Sequence, residues 1–420
     1  MATAAERLAD ALVRHQIDIE RLKKGTANRF VKLLRAADAE MVEALRRRLD
    51  RFGATGPTAA RKAKSLQKLI TAIVDGRRSI WIELRREAQK ELNEIARMEG
   101  AITSEIIEDA IGLEEFTLAA IAAAAFGSSV RNNVYLGRRT AQHLKALELA
   151  ERATIEKSIR QGVFDGLRGG EITAGLVGSR AFAGTDGQLN PTRNFLRSTM
   201  ASAVLAATIT AQNIAFAESG IITGLIWTAV LDGRTTAICR SRDGKGVRLT
   251  KDFPEDITLL EPPGARPPAH FNCRSYMTPT LHDIGVIPPH RTFVTDIRTN
   301  RKRVIDFRAQ AKAAAGANVW KSLSERQRRR RIRAQSNAWA IENIGKVAPE
   351  TTYAQFLSRQ SAKFQDSVLG PTRGLLFRQG GLTLDQFVDL TGKVLTLEQL
   401  QIAFPTAFKR AGFGKPAKTL

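Results

Sequence analysis

The chain has 420 residues, 43% of them hydrophobic, 6% aromatic and 25% charged. That length suits two or three domains, and the composition excludes the disordered and fibrous classes. A net charge of +23 predicts attraction to polyanions or to acidic protein surfaces, and only two cysteines exclude a disulfide-rich secreted scaffold.

Met1 to Arg14 mixes Arg7, Glu6 and Asp10 with alanines and has no apolar core, so no signal peptide is expected. The apolar run Thr117 to Phe126 is far shorter than the ~20 residues that span a bilayer. The expectation is a protein made in the cytoplasm that engages no membrane.

The first 160 residues read as helices. Leu8, Leu12, His15, Ile19 and Leu22 follow helical spacing up to Gly25. Phe30, Leu34, Ala37, Met41 and Leu45 mark a second helix ending near Gly53 and Pro57. A third carries Leu66, Leu69, Ile70 and Ile73, and a fourth carries Trp81, Leu84, Ala88, Leu92 and Ile95. The triplet Arg46, Arg47 and Arg48 lies on a charged face, which suits solvent or a contact stripe for DNA or an acidic partner. His15 and His143 fall on these helices as packing or surface residues.

Glycines crowd the stretch from Gly162 to Pro191, which reads as a flexible joint or long loop. Pro191 and Thr192 then start a helix running through Leu196, Val204, Ile209 and Ile214 to Gly220. Alternation from Ile221 to Leu231 predicts a strand, Asp232-Gly233 and Asp243-Gly244 predict turns, and a short strand is expected around Val247 to Leu249. A proline-rich loop (Pro262, Pro263, Pro267, Pro268) ends in His270-Phe271-Asn272-Cys273-Arg274.

Between Arg298 and Arg333 thirteen basic residues face Asp306 and Glu325, a net of +11. Arg301, Lys302, Arg303, Arg326, Arg328, Arg329, Arg330, Arg331 and Arg333 are its candidate nucleic-acid contacts. Such cations neutralise phosphates regardless of base sequence. Trp320 and Trp339 flank the arginine run, where anchoring a helix or stacking on bases would use them. A last helical region, Tyr353 to Phe377, precedes a short coda through Leu400. The fold class expected is mainly α: long N-terminal helices over 1–160, a small α+β core with short strands and a Cys/His loop over 161–285, and a basic and helical extension over 286–420.

Chemically capable side chains converge in one block. His270 and Cys273 are two residues apart in a tight loop, and Cys239 opens the connection leading back to them. Cys, His and Cys suit zinc, with Asp232 or Asp243 able to complete a tetrahedron. Packing thiols and a Cys239–Cys273 disulfide are the alternatives. The Asp232-Gly233-Arg234-Thr235 turn is read as structural, held by carboxylate-to-backbone bonds and an Arg–carboxylate pair. A metal-dependent nuclease built on His270 is an enzymatic alternative, although His282 and His290 lie in a separate proline-bounded stretch.

The run Trp227-x4-Asp232-Gly233-Arg234-Thr235-x3-Cys239, followed by Asp243-Gly244 and by Pro267-Pro268-x-His270-x-Asn272-Cys273-Arg274, resembles the signature of Mu F-like phage head-morphogenesis proteins. The likeness covers roughly Gly162 to Pro279. The tail Tyr353-x2-Phe356-Leu357-x2-Gln360-x3-Phe364 is similar to sequences downstream in many such proteins. Ser275 stands where that family often has another cysteine, which shifts the implied zinc ligands to Asp232, Cys239, His270 and Cys273. Trp227, Arg234, Thr235, Asp243, Gly244, Pro268, Asn272 and Arg274 are then motif residues with structural roles.

The resemblance implies a minor capsid protein at the portal vertex of the virion, with no catalytic activity in the core domain. Its implied partners are the portal, other head proteins and packaged double-stranded DNA. A non-catalytic DNA-binding or ejected internal virion protein is the alternative of the same kind.

Overall fold

The computed structural model describes residues 4–54, 59–111, 133–179, 184–262, 265–281, 285–286, 292–294, 307–324, 327–328, 331–332, 344–346 and 351–413. The run Thr117 to Phe126, His282, His290 and Trp339 lie outside them. The fold is mainly helical with a small sheet of short strands. Cα proximity divides the chain into two compact units. One is Met1–Val13, Ile221–Arg266 and Arg274–Leu420; the other is Arg14–Gly220 with Pro267–Cys273.

The helical unit is built on α1 (Ala4–Ala54) and α2 (Ala59–Ile111). After the two-residue strands β1 (Val134–Tyr135) and β2 (Arg138–Arg139) come α3 (Thr140–Phe164), α4 (Gly169–Val177) and α5 (Asn190–Glu218). Four N-terminal helices were expected where two run unbroken. Gly25 and Gly76 are exposed in mid-helix, and an exposed glycine costs a helix about 1 kcal/mol relative to alanine without ending it. Packing then decides. Ala27, Phe30, Val31 and Leu34 of α1 meet Trp81, Leu84 and Ala88 of α2, Leu144 of α3, and Leu196 and Met200 of α5. Residues 14–110 therefore form a bundle with α3 and α5 rather than an extended arm.

The glycine-rich joint is also largely ordered structure. Within it, α4 packs Ile172 and Leu176 on Ile155 and Ile159. A Cβ on Gly162 would lie 2.5 Å from the Ile172 side chain, and one on Gly187 2.4 Å from Val177. Several of these glycines serve close approach, not flexibility. Among the described helices α5 alone is long and apolar enough to cross a membrane, yet 83% of its most apolar window is buried. Ala203, Ala206, Ala207 and Ala211 let α2 and Tyr135 approach it closely, as in a core helix.

The second unit holds an antiparallel sheet in the order β4–β3–β5–β6. Its strands are β3 (Ile222–Thr228), β4 (Gly246–Arg248), β5 (Tyr276–Leu281) and β6 (Gly285–Val286). All seven residues of the central β3 are buried, so its two faces do not divide into wet and dry. Gly224 and Gly246 are needed beneath Phe253, whose ring would meet their Cβ atoms at 2.0 and 2.3 Å. The turn-and-loop between β3 and β4 contains α6 (Ala237–Arg242), a helix the sequence pattern does not announce.

Further along are β7 (Thr292–Val294), α7 (Phe307–Ala315), α8 (Ala317–Ser322) and β8 (Ile344–Lys346), with β7 pairing β8. The chain then runs through α9 (Tyr353–Ser358), α10 (Ala362–Leu369), α11 (Pro371–Leu375), α12 (Leu397–Ala403) and α13 (Pro405–Arg410). These last helices share one core with Leu231: Tyr353, Phe356, Leu357, Phe364, Leu376, Phe387, Leu400 and Phe408. The expected coda through Leu400 leads into α12 and α13, which complete a core.

Candidate functional site

The site grows from the end of β3. Asp232 has a backbone N–H bonded to Val230 O (3.0 Å), which curls the chain. Its carboxylate then accepts the Arg234 N–H (3.0 Å) and the Thr235 hydroxyl (3.1 Å), closing an Asx-type turn. The single Thr235 hydroxyl proton is shared with Val230 O. From 42 residues away Arg274 reaches the same carboxylate in a two-pronged pair, NH1 to Oδ2 at 2.7 Å and NH2 to Oδ1 at 2.8 Å. Burial works to raise the Asp232 carboxyl, but Arg274, the Arg234 N–H and Thr235 together hold it below the ordinary aspartate value.

Asp243 performs a matching task one turn later. It accepts the Ala229 N–H (2.6 Å) and the Tyr353 N–H (2.6 Å), and Gly244 at φ +81° lets its own N–H reach Trp227 O (2.9 Å). Tyr353, fully buried, donates its hydroxyl to Asp232 O at 2.7 Å. Burial pushes the Tyr353 phenol well above its usual range. Arg240 stacks over the Tyr353 ring (5.9 Å) and donates to Thr235 O (2.6 Å), while Arg242 stacks over Trp227 (5.3 Å). The Arg234 side chain is exposed, and its backbone rather than its guanidinium holds the turn.

The loop of Pro267 to Cys273 packs with the helical unit. Pro268 is buried in it, and His270 O accepts the Cys273 N–H at 3.2 Å. Asn272, at φ +59°, donates its N–H to Ser202 Oγ (3.0 Å) and its amide to Ser198 Oγ (2.9 Å), both on α5. Lys23 of α1, itself 4% exposed, donates to Cys273 O at 2.8 Å. Phe271 meets His143 edge-on at 5.6 Å. His143 Nε2 lies 3.0 Å from Tyr135 O, and His15 Nε2 lies 2.8 Å from Glu99 Oε1, so both helical histidines are structural.

Cys239 and Cys273 are buried and not joined by a disulfide. Among the described residues one Cys–His–Cys group, Cys239, His270 and Cys273, could hold a metal ion. Asp232 is not in that group, and Arg274 pairs with both of its oxygens. Asp243 is likewise engaged with two backbone N–H groups. Compared with protein-family models, curated proteins and solved structures, the chain matches none.

Of the basic stretch, Arg301, Lys302, Arg303, Arg326, Arg329, Arg330 and Arg333 lie outside the described residues. Arg331 is exposed. Arg328 is used structurally: it donates to Trp320 O (3.1 Å) and Lys321 O (3.0 Å) and stacks on the Trp320 ring at 5.9 Å, capping the end of α8. Trp320, 6% exposed, anchors that helix. Sequence reasoning missed Tyr353, Arg240, Lys23, Ser198 and Ser202. Only Tyr353 carried a signal, as the first residue of the tail motif.

Proposed function

We propose that this chain is a non-catalytic minor head protein of a tailed phage, of the Mu F-like kind. In this reading it acts in head assembly at the portal vertex and contacts packaged DNA. One observation carries the reading. The two separated halves of the motif meet in the Asp232–Arg274 pair, and the tail's Tyr353 bonds to both Asp232 O and Asp243. Residues that resemble a family signature only as a string thus act together as one structural clasp. Carboxylates consumed in this way are poor general acids or bases, because neither has an oxygen directed at a substrate.

The test is expression of the tagged chain with the head genes of its phage, followed by purification of assembled heads. The chain is expected in a few copies per head and in complex with portal protein. Its absence from heads and from portal complexes would overturn the reading.

For the Cys–His–Cys group we propose zinc as the ion, held by Cys239, His270 and Cys273. Two thiolates and an imidazole are a zinc donor set, and His270 Nδ1 lies 2.9 Å from Phe271 O, which leaves Nε2 as the ligating atom. Metal analysis of the purified protein should find one equivalent of zinc, lost in Cys273→Ala. Protein without zinc after purification in zinc-supplemented buffer would contradict it.

A further inference from the structure

The helical unit has a cationic surface separate from the Arg298–Arg333 stretch. From Leu22 to Ala37, α1 contains no acidic residue and five basic ones. Two are turned to structural use: Lys23 to Glu20 and Cys273 O, and Arg29 to Glu87 and Glu91 of α2. The other three, Lys24, Lys32 and Arg35, are exposed. They spread over about 16 Å of straight helix at 1.5 Å per residue.

Beside them lies α5, which has no acidic residue before Glu218. Its Arg197 joins the array by donating to Asn28 (3.2 Å) and Asn194 (2.7 Å). Some exposed cations elsewhere on these helices are neutralised locally, as in Arg21–Asp18, Arg47–Glu43 and Arg86–Glu83. From Asp75 onward the exposed face of α2 mixes Asp75, Glu83 and Glu94 with its cations, as an ordinary solvated face does. The Lys24–Arg35 face departs from that pattern.

We propose that this face, Lys24, Lys32 and Arg35 with Arg197, binds the phosphate backbone of duplex DNA. It deepens the DNA-contact part of the proposed function and rests on it. A rigid row of point charges matches a backbone with one negative charge per ~1.7 Å of duplex axis. The intervening Asn28, Asn194 and Ser198 supply short polar groups of the kind that bond phosphate oxygens. Binding through it is independent of base sequence.

The test uses the full chain and fluorescent 30-base-pair duplexes of unrelated sequence, titrated between 50 and 200 mM salt. Lys24→Gln, Lys32→Gln and Arg35→Gln together should weaken binding at least tenfold on every duplex. The dependence of log affinity on log salt should fall by about three. A control removing the same charge from the mixed-charge part of α2 (Arg78→Gln, Arg86→Gln, Lys90→Gln) should stay within about twofold of the parent. All six positions are exposed, so both variants should melt as the parent does. Equal losses in the two variants, or none in the α1 variant, would overturn the face while leaving DNA contact intact. A parent protein that binds no duplex at 50 mM salt would overturn the DNA reading as well.

Discussion

Asp38 in the helical unit and Asp232 in the sheet unit are buried to nearly the same degree, 6% and 8% exposed, and each faces arginine. Their carboxyls nonetheless shift in opposite directions. Burial pushes Asp38 up, against the pull of Arg77 and Arg193, and the nearby Glu151 pushes it further. Its arginines are shared. Arg77 donates to Asp38 (2.6 Å) and twice to Glu151 (2.8 and 3.0 Å), while Arg193 reaches both Asp38 and Val177 O. Asp232 instead receives four hydrogen bonds, two of them from Arg274, and is held down. Opposite charge nearby does not by itself stabilise a buried carboxylate; donors aimed at it, and not divided with a second carboxylate, do.

The largest break in this comparison is Arg77→Ala. It strands Glu151 and leaves Asp38 with Arg193 alone, and Trp81 Nε1, which also bonds Glu151, loses an ordered acceptor. The helical unit should lose about 3–5 kcal/mol in urea unfolding. The pH dependence separates the two sites. A raised carboxyl contributes stability that is complete below its unfolded value and lost as pH rises through its folded one. A lowered carboxyl contributes stability present above its unfolded value and lost as pH falls through its folded one. Asp38→Asn should therefore flatten the loss of stability on raising pH from mild acid, and Asp232→Asn should flatten the loss on strong acidification. Unfolding midpoints measured across that range would show which carboxyl governs which limb.

Smaller effects sharpen the contrast. Tyr353→Phe removes the hydroxyl bonded to Asp232 O within the core and should cost about 1 kcal/mol, confined to the sheet unit. Gly25→Ala should add about 0.5–1 kcal/mol to the helical unit, since the position is exposed, mid-helix and has nothing within 4 Å of the new Cβ. Thermal unfolding followed by circular dichroism would resolve the gain, and a loss would mean that α1 bends at Gly25.

The two regions were unequally legible before the structure. Helical spacing marked the N-terminal helices because their packing repeats every three or four residues. Their true lengths were hidden because glycine is a local signal and interhelical packing is not. The glycines at 162 and 187 look like flexibility in a string and act as contact points in the bundle. Near the site, the Asp232 turn was readable because its partners lie two and three residues away. Tyr353 was unreadable as a partner of Asp232, being 121 residues distant. Asp232 as a zinc ligand was a reasonable reading of residue type; the structure pairs its carboxylate instead with an arginine from a loop 42 residues away.

The Asp232–Arg274 pair carries the account, and a double-mutant cycle tests it directly. Urea unfolding of the parent, Asp232→Asn, Arg274→Gln and the double variant yields the coupling between the two halves of the motif. The clasp predicts a coupling of about 1–3 kcal/mol, with the double variant nearly as stable as the worse single one. Additive losses, with coupling near zero, would contradict it.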